Sequence, residues 1–158
     1  VMGLQLAMPD SKFADGTFDA VYSSTAFEMI RGLFGEEEYV KSVKETLRVM
    51  KPGAVFGMAE PMHHKGPPPP DLEPLVTTGD MPFVKFLVTP EVTAQTFKEA
   101  GFEILDWGHV PGARDWWEEF AEFDEDCRTN PDSQDRKIVN MDAGRWLTVG
   151  YVIARKPG

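Results

Sequence analysis

The run FDAVYS, residues 18–23, is the stretch that most constrains how this chain can fold. It has strand length and is rich in the β-favouring Phe, Val and Tyr. It comes after a turn signal, Ala14-Asp15-Gly16, and runs into the small polar residues Ser23, Ser24 and Thr25. An apolar run that ends in hydroxyl side chains is the pattern of a buried parallel strand that delivers a binding loop at its carboxyl end.

Beyond Thr25, helix and strand signals alternate along the chain. Residues 36–50 place Val40, Val43, Leu47 and Met50 on one helical face. Acidic residues crowd the first turn and Arg48 sits in the last, as the helix dipole favours. Lys51-Pro52-Gly53 then stops the helix, and AVFGMA, residues 54–59, reads as a second strand closed by Glu60-Pro61. The proline-rich residues 61–80 read as an excursion that is extended rather than packed. Thr89 as N-cap, Pro90 in the first turn and Gly101 at the end bound another helix. Residues 102–110 read as a third strand and 114–123 as a short aromatic helix. Residues 124–140 are polar and loop-like. Residues 146–154 form a near-continuous apolar run, expected to be a central strand and free to run antiparallel. The expectation is a single α/β domain over 1–158, a mostly parallel sheet of about four strands with an antiparallel last strand, flanked by helices. Residues 61–88 and 110–145 are its variable segments.

Composition narrows the partners. Net charge is −10, which argues against nucleic acid or an anionic membrane surface as the main partner. No apolar run approaches the roughly 20 residues that span a bilayer. The single cysteine, Cys127, allows no internal disulfide, fits a reducing cytoplasm and reads as a surface thiol in a polar stretch. The chain opens Val-Met a few residues before the first strand signal, which suggests a fragment or a processed chain.

The motifs have a family likeness. MPDSKFADGTFDAVYSS, EEEYVKSVKETLRVMKPGAVFGMAEP, VTPEVTAQTFKEAGFEIL and the closing GYVIARKP resemble, in order, the second half of a class I S-adenosylmethionine-dependent methyltransferase. Asp115-Trp116-Trp117 and the ARKP ending resemble the small-molecule branch that includes sterol-type enzymes. The resemblance implies a sheet ordered 3-2-1-4-5-7-6, with FDAVYS as its fourth strand. It implies S-adenosylmethionine as cofactor of the full-length enzyme and a small-molecule acceptor. The glycine-rich cofactor loop has no counterpart here, since no G-x-G-x-x-G occurs among the 14 glycines. This chain alone is therefore expected to bind the cofactor weakly or not at all. Without the preceding strands FDAVYS would be an open edge, and a homo-oligomer through residues 18–23 is expected to cover it. A non-catalytic binding or dimerisation module is the other reading.

By position, the resemblance implies cofactor contacts at Leu4 and Gln5, where the family carries an acid in place of Leu4, and at the hydroxyls of Ser23, Ser24 and Thr25. Met29 stands near where many members have a substrate-facing His. Methyl transfer needs a base only if the acceptor must lose a proton, and Glu28, Glu60, His63 and His64 are the candidates. His63-His64 beside Glu60 also admits a metal site or a plain exposed loop. Neighbours on an extended chain point oppositely and no third spaced ligand is evident, so no metal is expected. Trp116, Trp117 and Phe120 wall an apolar pocket, with Met29 and Glu60, or cage a cationic amine, or simply pack a helix on the sheet.

Overall fold

Strand β1 (Phe18–Ser24) lies parallel to β2 (Met50–His63), and Ser24 pairs with Ala59 at the upper end. These elements belong to a computed structural model that describes residues 6–158. Two further strands, β3 (Glu103–His109) and β4 (Leu147–Arg155), complete a four-stranded sheet in the order β1-β2-β4-β3. The last strand in the chain inserts between β2 and β3 and runs antiparallel to both. This is the 4-5-7-6 part of the order that the resemblance implies. The α/β expectation with an antiparallel final strand holds.

Eight helices accompany the sheet among the described residues: α1 (Phe27–Phe34), α2 (Glu36–Val49), α3 (Glu73–Val76), α4 (Phe83–Phe86), α5 (Pro90–Glu99), α6 (Ala113–Phe123), α7 (Glu125–Thr129) and α8 (Gln134–Asp142). The α5 boundaries obey the sequence: Thr89 Oγ1 accepts from Val92 N–H at 3.3 Å, Pro90 opens the helix and Gly101 comes after it at φ 109°. In α2 the fully buried stripe runs through Tyr39, Ser42, Val43, Thr46 and Val49, and the expected Val40 and Leu47 are partly buried against the same core. Ser42 and Thr46 tolerate burial because their hydroxyls donate to the carbonyls one turn back, Glu38 O at 2.8 Å and Ser42 O at 2.9 Å.

The main core lies between α2, α5 and one face of the sheet. Phe56 stacks on Phe97 with centroids 5.3 Å apart, and Tyr39, Val43, Met58 and Val152 close around them. Alternation along β2 sends Phe56, Met58, Glu60 and Met62 into this side. Gly150 is required here, because a Cβ would strike the Met62 sulfur and lie 2.7 Å from Pro90.

Three expectations are corrected. Strand β2 does not close at Glu60-Pro61 but continues to His63. Its partner β1 stops opposite Ala59, so beyond that point β2 has a neighbour on one side only, where proline is tolerated. The proline-rich segment is packed, not a free extended excursion. Leu72 and Val76 are fully buried in a second apolar cluster with Phe86, Leu87, Ile138, Trp146 and Leu147. It is anchored by Trp146 Nε1 donating to Gly66 O, Gln134 Nε2 donating to Leu75 O, and a two-pronged Arg145–Asp71 pair. The thiol of Cys127 is fully buried rather than on the surface, packed with Ala121 and Val139 because residues 125–129 and 134–142 are helical and cover it.

Candidate active site

The sheet's carboxyl-terminal edge is where α/β folds place ligands, and the polar residues after β1 land there. Ser24 ends the strand opposite Ala59, and Thr25 N–H donates to Ala59 O at 3.1 Å. Thr25 has φ 47°, a left-handed conformation that a β-branched residue seldom adopts and that turns the chain abruptly into α1. Ser24 and Thr25 open into a cavity of about 540 Å³, within the range of roughly 300–1,000 Å³ usual for small-molecule sites.

Its walls come from four directions. Helix α1 supplies Glu28 and Met29, and β2 supplies Ala59 and Pro61 from the face opposite the core. The segment before α5 supplies Met81, Phe83, Phe86 and Leu87. Helix α6 contributes Trp116, Trp117 and Phe120, with Asp135 and Val149 completing the lining. Trp117 is held by its Nε1–H, which donates to Thr148 O at 3.2 Å, while Trp116 is half-exposed at the rim.

Beneath this wall lies a buried polar group. Glu60 accepts from the backbone N–H of Glu28 at 3.0 Å, so its carboxylate satisfies a free N–H at the start of α1. Glu28 and Glu60 are 3% and 1% exposed, and their carboxyls are neighbours. Burial raises both above the ordinary carboxylate range, and the neighbouring Glu28 carboxyl pushes Glu60 further up. For Glu28 the hydrogen bond with Glu60 works the other way. Arg31, one turn on, bonds Glu36 through Nε at 2.6 Å and lies 3.5 Å over the Tyr39 ring centre. Glu28 Oε2 has no hydrogen-bond partner in the protein.

Of the candidates, Ser24, Thr25, Glu28, Met29, Trp116 and Trp117 are brought together around the cavity. Glu60 sits behind the wall, on the core face of β2. Ser23 is on the core face of β1, beside Met58. The two histidines lie apart from the cavity lining. His63 stacks on Trp146 with centroids 4.6 Å apart, its Nδ1 lies 2.7 Å from His64 O, and burial lowers its pKa. The His64 ring lies 4.4 Å from His109. Among the described residues no group of three or more His, Cys, Asp or Glu could hold a metal. Leu4 and Gln5 lie outside the described residues.

Sequence reasoning missed Met81, Phe83, Phe86 and Asp135 as cavity residues. The spacing of Phe83 and Phe86 is a one-turn helical signal, but it sits in a run otherwise broken by proline and glycine. Helix α1 was also missed: Phe27, Ile30 and Phe34 recur at helical spacing, while Gly32 and the short length weaken the signal.

The comparisons point the same way. Residues 3–58 match a family model described as a methyltransferase domain. No curated protein matches. Among solved structures, the chain resembles the [4+2]-cyclase SpnF at 23% identity, covering 92% of this chain and 52% of that one, with a TM-score of 0.61. It resembles a putative sarcosine dimethylglycine methyltransferase from Galdieria sulphuraria at 18% identity, 94% and 56% coverage and TM-score 0.68. It also resembles geranyl diphosphate C-methyltransferase from Streptomyces coelicolor A3(2), solved with Mg2+, geranyl diphosphate and S-adenosyl-L-homocysteine, at 11% identity, 93% and 50% coverage and TM-score 0.64. The chain spans about half the length of these structures. At these identities the likeness is one of fold, and the fold is that of the class I S-adenosylmethionine-dependent methyltransferases.

Proposed function

We propose that this chain is the C-terminal portion of a methyltransferase domain that transfers a methyl group from S-adenosylmethionine to a small-molecule acceptor. The observation that carries the reading is the placement of Glu28 in the wall of an apolar cavity next to Ser24 and Thr25, at the carboxyl ends of two parallel strands. Fold alone does not decide it, since a cyclase shares this architecture.

The residues present fit the cofactor in part. The hydroxyls of Ser24 and Thr25, at the strand end, suit a bond to an amino or carboxylate group, while the sequence has no glycine-rich loop to cradle the rest. When bound, S-adenosylmethionine supplies a methyl group already activated by positive sulfur. The chain's own task is then to hold and orient the acceptor between Met29, Phe86 and Trp117 and to exclude water. Glu28 accepts the proton that an acceptor nitrogen, oxygen or carbon gives up, and Glu60 positions it through the start of α1.

The lone, buried Cys127 suits a reducing compartment, and cytoplasm is part of this reading. Among the described residues no helix is long and apolar enough to cross a membrane. Strand β1 forms one edge of the described sheet, with Tyr22 largely exposed, which supports pairing of two copies through residues 18–23.

The test is transfer of labelled methyl from S-adenosylmethionine by the longest natural form of the protein, with calorimetry on the 158-residue chain. We expect cofactor binding and transfer by the longer form, at most weak binding by this chain alone, and a rate reduced roughly 10²–10⁴-fold in Glu28→Gln. A longer form that binds no S-adenosylmethionine sinks the enzyme reading and leaves a non-catalytic binding or dimerisation module.

A further inference from the structure

We propose that the cavity selects an apolar acceptor that carries a cationic amine and rejects acceptors that carry phosphate. The inference rests on the cavity being the acceptor site of the transferase proposed above, and it names the acceptor's chemistry.

The charged side chains that line the cavity, among the described residues, are Glu28 and Asp135, both acids; no Lys or Arg lines it. Glu28 belongs to the wall but is only 3% exposed, so its acid sits in a desolvated setting at the cavity's edge. An ammonium brings the charge that complements an acid-lined wall.

The remaining wall suits a cation as well. Phe83, Phe86, Trp116, Trp117 and Phe120 present aromatic rings to the cavity, and ring faces attract ammonium groups. Trp116 and Phe120 are 51% and 39% exposed, apolar surface left open at the mouth.

A phosphate finds no cation among the described lining residues. Helix N-termini are common phosphate sites, but at the start of α1 the Glu28 N–H is already taken by the Glu60 carboxyl. Arg31, the nearby buried cation, is not among the lining residues and is engaged by Glu36 and the Tyr39 ring.

The test uses three matched probes on the full chain: 2-phenylethylamine, 2-phenylethanol and 2-phenylethyl phosphate, titrated by tryptophan fluorescence and calorimetry. We expect the amine to bind at least about tenfold more tightly than the alcohol, and the phosphate most weakly. Glu28→Gln, checked for native circular dichroism, should erase the amine preference while leaving the alcohol unchanged. Trp116→Ala, at an exposed rim position, should weaken the amine more than the alcohol. Equal or tighter phosphate binding, no binding of any probe, or an amine preference intact in Glu28→Gln overturns the proposal. No cofactor is needed for this experiment. An amine-selective cavity in a protein that transfers no methyl group would sink the transferase reading alone. Methylation of a phosphorylated acceptor with no amine preference would sink this inference alone.

Discussion

The carboxylate of Glu60 accepts the backbone N–H of Glu28 at 3.0 Å, while the side chain of Glu28 itself faces the cavity wall. One acid therefore anchors the start of α1 and the other meets the ligand space, and both are buried.

The pair makes stability depend on pH. Both folded-state pKa values are raised above the ordinary 4.5, chiefly by burial. The folded state thus holds a proton that the unfolded chain releases. The corresponding stability is fully present below about pH 4.5 and is lost as pH rises through the raised folded values. We expect the melting temperature to fall with rising pH over that window, and Glu60→Gln to flatten the curve because an amide keeps the acceptor without the proton. Glu60→Ala should cost roughly 1–3 kcal/mol by leaving the Glu28 N–H unpaired. Thermal unfolding of the three proteins from pH 4 to 9 checks this; parallel curves would refute it.

Asp142 closes the turn from α8 into β4. Its carboxylate takes N–H groups from Gly144 at 3.0 Å, Trp146 at 2.8 Å and Leu147 at 3.1 Å, and the residue is 1% exposed. Asp142→Ala should destabilise the protein by about 2–4 kcal/mol, since it leaves buried donors unpaired at the entry to a central strand. Urea unfolding measures the loss; a change under about 0.5 kcal/mol would show that the turn holds without it.

Leu72 discriminates a packed proline-rich segment from a surface excursion. Its side chain is fully buried among Val76, Ile138 and Trp146. We expect Leu72→Ala to cost about 2–5 kcal/mol in a urea melt, whereas a solvated loop residue would lose almost nothing.

Cys127 should be inert. It is fully buried, and burial pushes its thiol pKa up, so little thiolate is available or accessible. A disulfide reagent at pH 8 should leave the native thiol unmodified for hours and titrate one thiol in denaturant. Stoichiometric reaction in native buffer within minutes would contradict the packing.

The sheet was readable from the sequence because its strands obey local rules. FDAVYS, AVFGMA and the run at 146–154 are apolar and bounded by turns, and Thr89, Pro90 and Gly101 mark their helix in plain chemistry. The motifs from Phe13 to Gly53 carried the family resemblance. The candidate site was half legible. Thr25, Glu28 and Trp117 lie near motif ends, so order along the chain locates them. Phe83, Phe86 and Asp135 were hidden because their meeting depends on how residues 61–88 and 124–142 fold over the sheet end. Both stretches are polar or proline-rich, and neither has a long periodic face. The reading of Cys127 failed for the same reason: helices α7 and α8 are short, and it is packing against α6 that covers the thiol.

Strand β4 is made last of the four yet lies between β2 and β3. During synthesis, β2 and β3 emerge with a gap between them that no earlier part of the described chain fills. Both wait, with unpaired edges, until the residues from Leu147 to Arg155 leave the ribosome. The β1–β2 pair can form earlier, but the sheet is complete only once this last strand has been made. A nascent chain stalled before Leu147 would leave the facing edges of β2 and β3 unpaired.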